Sequence, residues 1–343
     1  MLSLPTVPLR ESWVRGTIAT LCKQNGLPFF SDRAGNLWVN ASSPEEIKSS
    51  KLVFVAHMDH PGITIDNFYM QGSTVISEGQ WHGGGPARLI GQPVMIFSDF
   101  NAGTSFLGTI VQHSVKDERP GKVVIKSTDK DNDWAKLSTE TKRFGPWGAC
   151  LFFSEIPNGV SLRKDIWRTK AADDLISVSV ILDSLIKTAQ TGVIALFTTD
   201  EEEGMNGAYA ALNEHIASPD TVAFSIEVTD YSFAGVQLGN GPIIRYGDSE
   251  TQFTLPVIEK ITDLAKAFQG QNTAFRYQIQ GTSKGVTEGT AFSRYQFPIG
   301  GLSLALKNYH NKAPNGEAVP EEVSATDVNA LSQFLPFLIQ NWK

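Results

Sequence analysis

An α/β layer sandwich carrying an inserted all-β module is the fold class this sequence predicts, and three observations predict it. Apolar runs of strand length alternate with segments of helical periodicity along most of the chain. Between residues 67 and 164 the alternation stops, and short β-type runs are punctuated by Gly, Pro, Asp and Asn with no convincing helix. The length of 343 residues suits two domains at roughly 150 residues each. The expected architecture is a three-layer α/β/α sandwich with a mixed, mostly parallel sheet, built from residues 1–66 and 165–343, plus a β-barrel-like insert at 67–164.

Trp13, Val14, Ile18, Leu21 and Cys22 recur at helical spacing, and DRAGN then turns the chain into the strand LWVN. KLVFVAH reads as a strand, AADDLISVSVILDSLIKT as a helix with a buried face, and GVIALFTT as a strand that ends at DEEEG. NGAYAALNEHI is a helix, TVAFSIEVT a strand and FTLPVIEKITDLAKAF a helix. IGGLSLAL forms the next strand and DVNALSQFLPFLIQNW the last helix. Within the insert the β runs are STVIS, PVMIF, LGTIVQH, KVVIKS and ACLFFS. No repeat or low-complexity segment interrupts the pattern.

Composition excludes several functions. With 41% hydrophobic and 19% charged residues, and no apolar run near the ~18 residues that span a bilayer, no membrane residence is expected. The opening MLSLPTVPLRESW lacks the features of an export signal, so the expected location is the cytoplasm. A net charge of -7 with scattered Lys and Arg argues against nucleic acid, which calls for a basic stripe. Cys22 and Cys150 are too few for a disulfide framework or a cysteine metal site and read as buried thiols.

Chemistry gathers at the strand ends. His57 and Asp59 follow one strand, Asp200 to Glu203 follow a second, Glu227 ends a third, His310 follows a fourth, and Asp173-Asp174 opens the helix between them. In a parallel sheet these ends share one edge, so the groups can converge on one crevice. Each piece alone has a structural explanation: a carboxylate satisfying a loop amide, an acidic run at a helix N-terminus, a helix cap, a surface histidine. Packed together, such carboxylates and imidazoles would repel or desolvate badly without a cation among them.

The ordered set resembles the glutamyl aminopeptidase and TET (tetrahedral) aminopeptidase family of co-catalytic zinc peptidases. HMD at 57–59, ADDLIS at 172–177, DEEEGMNGA at 200–208, IEVTD at 226–230, GVTEGTAF at 285–292 and NYHN at 308–311 match that family's motifs in order, and GGGPARLIGQPVMI and LGNGPII look like two further segments. The resemblance implies a zinc-peptidase fold and two divalent metal ions, Zn²⁺ first and Co²⁺ or Mn²⁺ as alternatives. It also implies a cis peptide after the bridging aspartate. Asp173 would bridge the ions, His57 and Glu227 would complete one, and Glu202 and His310 the other. Glu201 would be the general base, and Asp59 would accept a hydrogen bond from the His57 ring. Peptide substrates are implied, and homo-oligomers from a dimer through the insert up to a dodecamer.

Departures from the family pattern bear on substrate choice. Glu227 and Glu288 stand where Asp is usual, Leu175 replaces an arginine, Ser177 a glycine and His60 an acidic residue, and RYIHSP is reduced to NYHN. Glu227 keeps a related dimetal carboxypeptidase or N-acyl amino acid deacylase open as an alternative to an aminopeptidase. Glu288 and Glu203 are the candidates for binding a substrate α-amine. A glycosidase using Asp200 and Glu203, or a non-catalytic scaffold, would leave His57, Asp173 and His310 without a role. His82, His113 and His215 carry no motif and read as structural or surface residues.

Overall fold

Leu52–His57, Val193–Thr198, Val222–Asp230 and Ile299–Lys307 lie side by side as parallel strands at the centre of one large sheet. They are buried along nearly their whole length, which is why they read as unbroken apolar runs rather than alternating ones. The computed structural model describes the chain except residues 101–102, 117–118, 129–145, 215–217, 219, 234, 282–284 and 343.

Toward both edges the sheet turns antiparallel. Leu37–Val39 and Phe29–Ser31 extend one side; Glu321–Ser324, Ile166–Thr169 and Val160–Arg163 extend the other. Parallel pairing occupies the centre and joins Ile243–Arg245 with Gln278–Gln280, so the sheet is mixed with a parallel core. Connection length accounts for the outermost pair at each edge: a short turn closes an antiparallel pair, whereas parallel neighbours need a crossover. DRAGN closes one such pair, and Lys164 and Asp165, with φ of 48° and 68°, close the other.

Helices Ser12–Asn25, Leu175–Thr188, Leu255–Gln271 and Ala325–Asn341 join these strands in one hydrophobic cluster. Leu175–Thr188 is rich in β-branched residues and buries Ile176, Val178, Val180 and Ile181, so tertiary packing rather than propensity stabilises it. The first helix stops at Gly26, whose φ of 69° costs a glycine nothing and lets its amide bond back to the last turn. The last helix starts at Ser324, whose hydroxyl accepts from the Asp327 amide. The helix expected from NGAYAALNEHI runs Asn206–Asn213, and His215 lies outside the described residues. Among the described residues no helix is long and apolar enough to cross a membrane.

The insert is a closed barrel in the order Gly62–Gln71, Thr74–His82, Arg119–Ser127, Ser105–Lys116, Pro93–Ser98, Trp147–Leu151. Ile63, Trp81, Ile96, Phe106, Ile125 and Trp147 belong to its own core. Its strands begin and end earlier than the expected limits of 67 and 164. Gly62 already pairs with His82, and Val160–Arg163 belongs to the large sheet. Barrel and sandwich touch through the first helix: Trp13 donates to the Ser98 carbonyl at 2.8 Å and meets Phe97 edge-on.

Candidate metal centre

The site is assembled by sheet register. Thr198 pairs with His57, so the loop that follows Thr198 emerges beside the imidazole. Val222–Ser225 pairs with Leu52–Val55, and two residues further along each strand stand Glu227 and His57. The strand Ile299–Lys307 runs on to His310, and Asp173 arrives just before the helix Leu175–Thr188. The peptide bond between Asp173 and Asp174 is cis.

Asp173 is central. Its Oδ1 lies 3.1 Å from His57 Nε2 and its Oδ2 lies 3.4 Å from His310 Nε2. His310 Nε2 is also 3.2 Å from Glu202 Oε1, and His57 Nε2 is 4.0 Å from Glu201 Oε2. Donor atoms of His57, Asp173 and Glu227 fall within 4.8 Å of one another, as do those of Asp173, Glu202 and His310. Glu288, fully buried at the start of the helix Glu288–Arg294, forms a further acidic group with Glu201 and Glu227. Its Oε1 accepts from the Thr198 hydroxyl at 2.7 Å, and its Oε2 has no hydrogen-bond partner among the described residues.

Burial and mutual charge shift the proton affinities of this cluster in opposite directions. Burial, then the charges of neighbouring Glu288 and Glu202, hold Glu201 well above the ordinary carboxylate range against the opposing pull of His57, and burial with Glu288 does the same to Glu227. Burial lowers the affinity of His57 for a proton, but the bond to Asp173 and the nearby carboxylates of Asp59, Glu201 and Glu227 carry it well above its ordinary value. His310 rises to about 10, burial being outweighed by Glu202 and Asp173. Asp173 itself is depressed: burial opposes ionisation, and the two imidazoles overcome it. Positive charge is therefore required at this position, and imidazole with carboxylate is a donor set for divalent metals. The geometry fits a metal better than a proton at one point in particular. Glu202 Oε1 is buried 3.2 Å from His310 Nε2 without a hydrogen bond of good geometry, and both atoms face the space beside Asp173 where a metal ion would satisfy them together.

Asp59 acts differently from the expectation. The Nδ1 of His57 meets the backbone carbonyl of Asp59 at 3.0 Å, while the carboxylate lies 3.6 Å away. That carboxylate instead accepts from the amides of Glu201 and Glu202, at 3.0 and 3.1 Å. The reason is reach: two residues beyond His57, the Asp59 carbonyl already sits against the ring, which frees the carboxylate for the acidic loop. Glu203 accepts from the Gly83 amide at 3.0 Å and lies 3.2 Å from His82, so it ties that loop to the barrel.

Four further residues were given no role by the sequence reading. Glu321 accepts from the amides of Ala172, Asp173 and His310. His60, held neutral by burial with its pKa down to about 4, bridges Asp173 and Asn311. Arg245 and Tyr309 line the cavity beside Glu227. Glu321 sits in an ordinary Glu-Glu pair on an edge strand, where no sequence signal marks it, whereas the departure of His60 from the family pattern was a signal without a meaning.

A crevice of this chemistry, open at the carboxyl edge of a parallel sheet and flanked by a closed barrel, defines the class: a metallopeptidase. The chain belongs to the M42 glutamyl aminopeptidase family, whose model matches residues 35–315, and it is a peptide-hydrolysing enzyme. No curated protein sequence matches it. Among solved structures the fold is similar to that of PhTET1-12s, a dodecamer, with a TM-score of 0.76 and 21% identity over 98% of this chain and 96% of that one. Aminopeptidase APDkam598 from the archaeon Desulfurococcus kamchatkensis gives 0.75 and 22% over 98% and 92%. The Pyrococcus horikoshii TET1 peptidase, which can assemble into a tetrahedron or a large octahedral shell, gives 0.72 and 22% over 98% and 96%. At these identities the structural likeness is one of fold.

Proposed function

We propose that this chain removes N-terminal residues from peptides with two divalent cations that share the Asp173 carboxylate. One observation carries this reading: the two oxygens of Asp173 face different imidazoles, at 3.1 Å and 3.4 Å, and each imidazole has its own second carboxylate. His57 and Glu227 serve one cation, and His310 and Glu202 the other. Zn²⁺ suits these ligands first, with Co²⁺ or Mn²⁺ as alternatives. When bound, the cations supply Lewis acidity toward the scissile carbonyl and lower the pKa of water.

The protein's own groups do the rest. Glu201 takes a proton from the attacking water and passes it to the leaving amine. Asp59 holds the amides of Glu201 and Glu202 and so fixes the loop that carries both carboxylates. Glu288, with its buried unpartnered oxygen, is favoured over the half-exposed Glu203 as the group that meets the substrate's α-amine. The adjoining cavity, lined by Val228, Asp230, Arg245, Val286, Thr287 and Tyr309, measures about 150 Å³. That is below the roughly 300–1,000 Å³ of drug-sized pockets and suits one side chain rather than a length of polypeptide, which favours an exopeptidase. In this reading the sandwich, which runs up to Pro61 and resumes by Val160, carries catalysis, and the barrel governs access and assembly into a homo-oligomer.

Replacing Glu201 by Gln tests the proposal. Turnover of an aminoacyl-anilide should fall by about 10²–10⁴-fold with metal content unchanged. Undiminished turnover, or loss of metal together with activity, would assign the base elsewhere. Peptides blocked at either terminus, assayed beside the anilide, separate aminopeptidase from carboxypeptidase and deacylase activity.

A further inference from the structure

Two departures from the family pattern, His60 and the NYHN segment, touch each other. The His60 ring is buried, at 2% exposure, with Nδ1 against the backbone carbonyl of Asp173 and Nε2 3.0 Å from the side-chain oxygen of Asn311. Asn311 is also buried, and its Nδ2 has no hydrogen-bond partner among the described residues. A carbonyl only accepts, so Nδ1 must carry the hydrogen. A neutral ring then presents a lone pair at Nε2, and that lone pair needs a donor. Turning the Asn311 amide end for end supplies the donor and removes the orphaned nitrogen in one move, because the two ends of an amide have the same shape.

We infer that His60 and Asn311 form a neutral relay, Asn311 Nδ2–H to His60 Nε2 and His60 Nδ1–H to the Asp173 carbonyl, that positions Asp173 relative to His310. The relay joins the segment bearing Asp173 to the residue directly after His310. His310 and Asn311 have φ of 55° and 57°, a left-handed backbone that asparagine tolerates well and that needs holding in place. Glu321 clamps the same two segments through their amides. His60 adds what Glu321 lacks, a contact to the carbonyl side of Asp173. Both are positioning residues, since neither reaches the space where the imidazoles and carboxylates converge. The inference rests on the proposed roles of Asp173 and His310 as ligands.

The test has two independent parts. In metal-free protein, long-range ¹⁵N–¹H spectra resolve the tautomers of the six histidines. His60 should show a protonated Nδ1 and an unprotonated Nε2, and in Asn311→Asp, which offers only acceptors, Nε2 should become protonated. An Nε2–H tautomer in the unmodified protein overturns the relay, whatever the metal does. Cobalt(II) titration then reads the positioning. His60→Leu and Asn311→Ala should weaken binding by about 10–100-fold, as loss of groups that orient metal ligands does, and should shift the visible absorption bands. His60→Asn, whose amide can still donate to the Asp173 carbonyl, should recover most of the affinity. Folded variants that bind cobalt with unchanged affinity and spectrum refute the positioning role. Absence of cobalt uptake by the unmodified protein would instead defeat the metal-site proposal and leave the tautomer result standing.

Discussion

Glu321 shows how one buried carboxylate can organise a site without entering it. Its two oxygens accept from three amides that belong to the segments of Asp173 and His310. Glu321→Ala should leave these three donors unsatisfied at about 1–3 kcal/mol each, so the loss of stability on urea unfolding should be on the order of 3 kcal/mol or more. An effect below 1 kcal/mol would mean water replaces the carboxylate fully. Glu11 offers a pH-dependent counterpart away from the metal ligands. Burial, and secondarily the charge of Asp59, raise its pKa to about 8, and it accepts from the amides of Leu9 and Asp200. The folded state therefore binds the proton more tightly than the unfolded state. Its contribution to stability is complete below about pH 4.5 and declines as pH rises toward 8. Glu11→Gln keeps an acceptor but removes this titration, so the metal-free variant should gain stability relative to the parent as pH rises from 5 to about 8, and a constant difference across that range would contradict the assignment.

At the scale of elements, the barrel reaches the centre through a glycine segment, His82 to Gly85. A methyl group at Gly84 would lie 1.9 Å from His310 Nδ1, closer than any side chain can approach, so Gly84→Ala must displace the imidazole. Turnover should fall at least tenfold, about 1.4 kcal/mol of barrier, with little change in melting temperature. Gly16→Ala is the matching control: nothing lies within 4 Å of a methyl group there, and the exposed helical position should gain about 0.5–1 kcal/mol in stability with activity unchanged. The chain between His310 and Glu321 leans on the same barrel, since the Arg88 amide donates to the Gly316 carbonyl at 2.9 Å and Ala318 packs against the barrel core. The sequence located the parallel strands because burial on both faces leaves an unbroken apolar signature. It blurred the barrel limits, because Gly62 to Ile65 is too short a run, buried at every residue like the central strands, to show the alternation that marks the rest of the insert.

For the whole molecule, the charge at the centre decides behaviour. A cation that binds only the folded state stabilises it by mass action, about 2.7 kcal/mol at a hundredfold excess over its dissociation constant. Chelation should therefore abolish hydrolysis and lower the melting temperature, and Zn²⁺, Co²⁺ or Mn²⁺ should restore both. Light scattering on the same samples should report an assembly larger than a monomer in the metal-loaded protein, and a monomer there would contradict the proposed homo-oligomer. The sequence by itself determined the fold class, the strand ends and the order of acidic and imidazole groups along them, because periodicity and residue type are local properties. Only the tertiary structure decided that Asp59 serves two loop amides rather than the His57 ring, and that Glu321, His60 and Asn311 belong to the site. Those assignments depend on which donor meets which acceptor across more than a hundred residues of chain, and a one-dimensional pattern carries no record of that pairing.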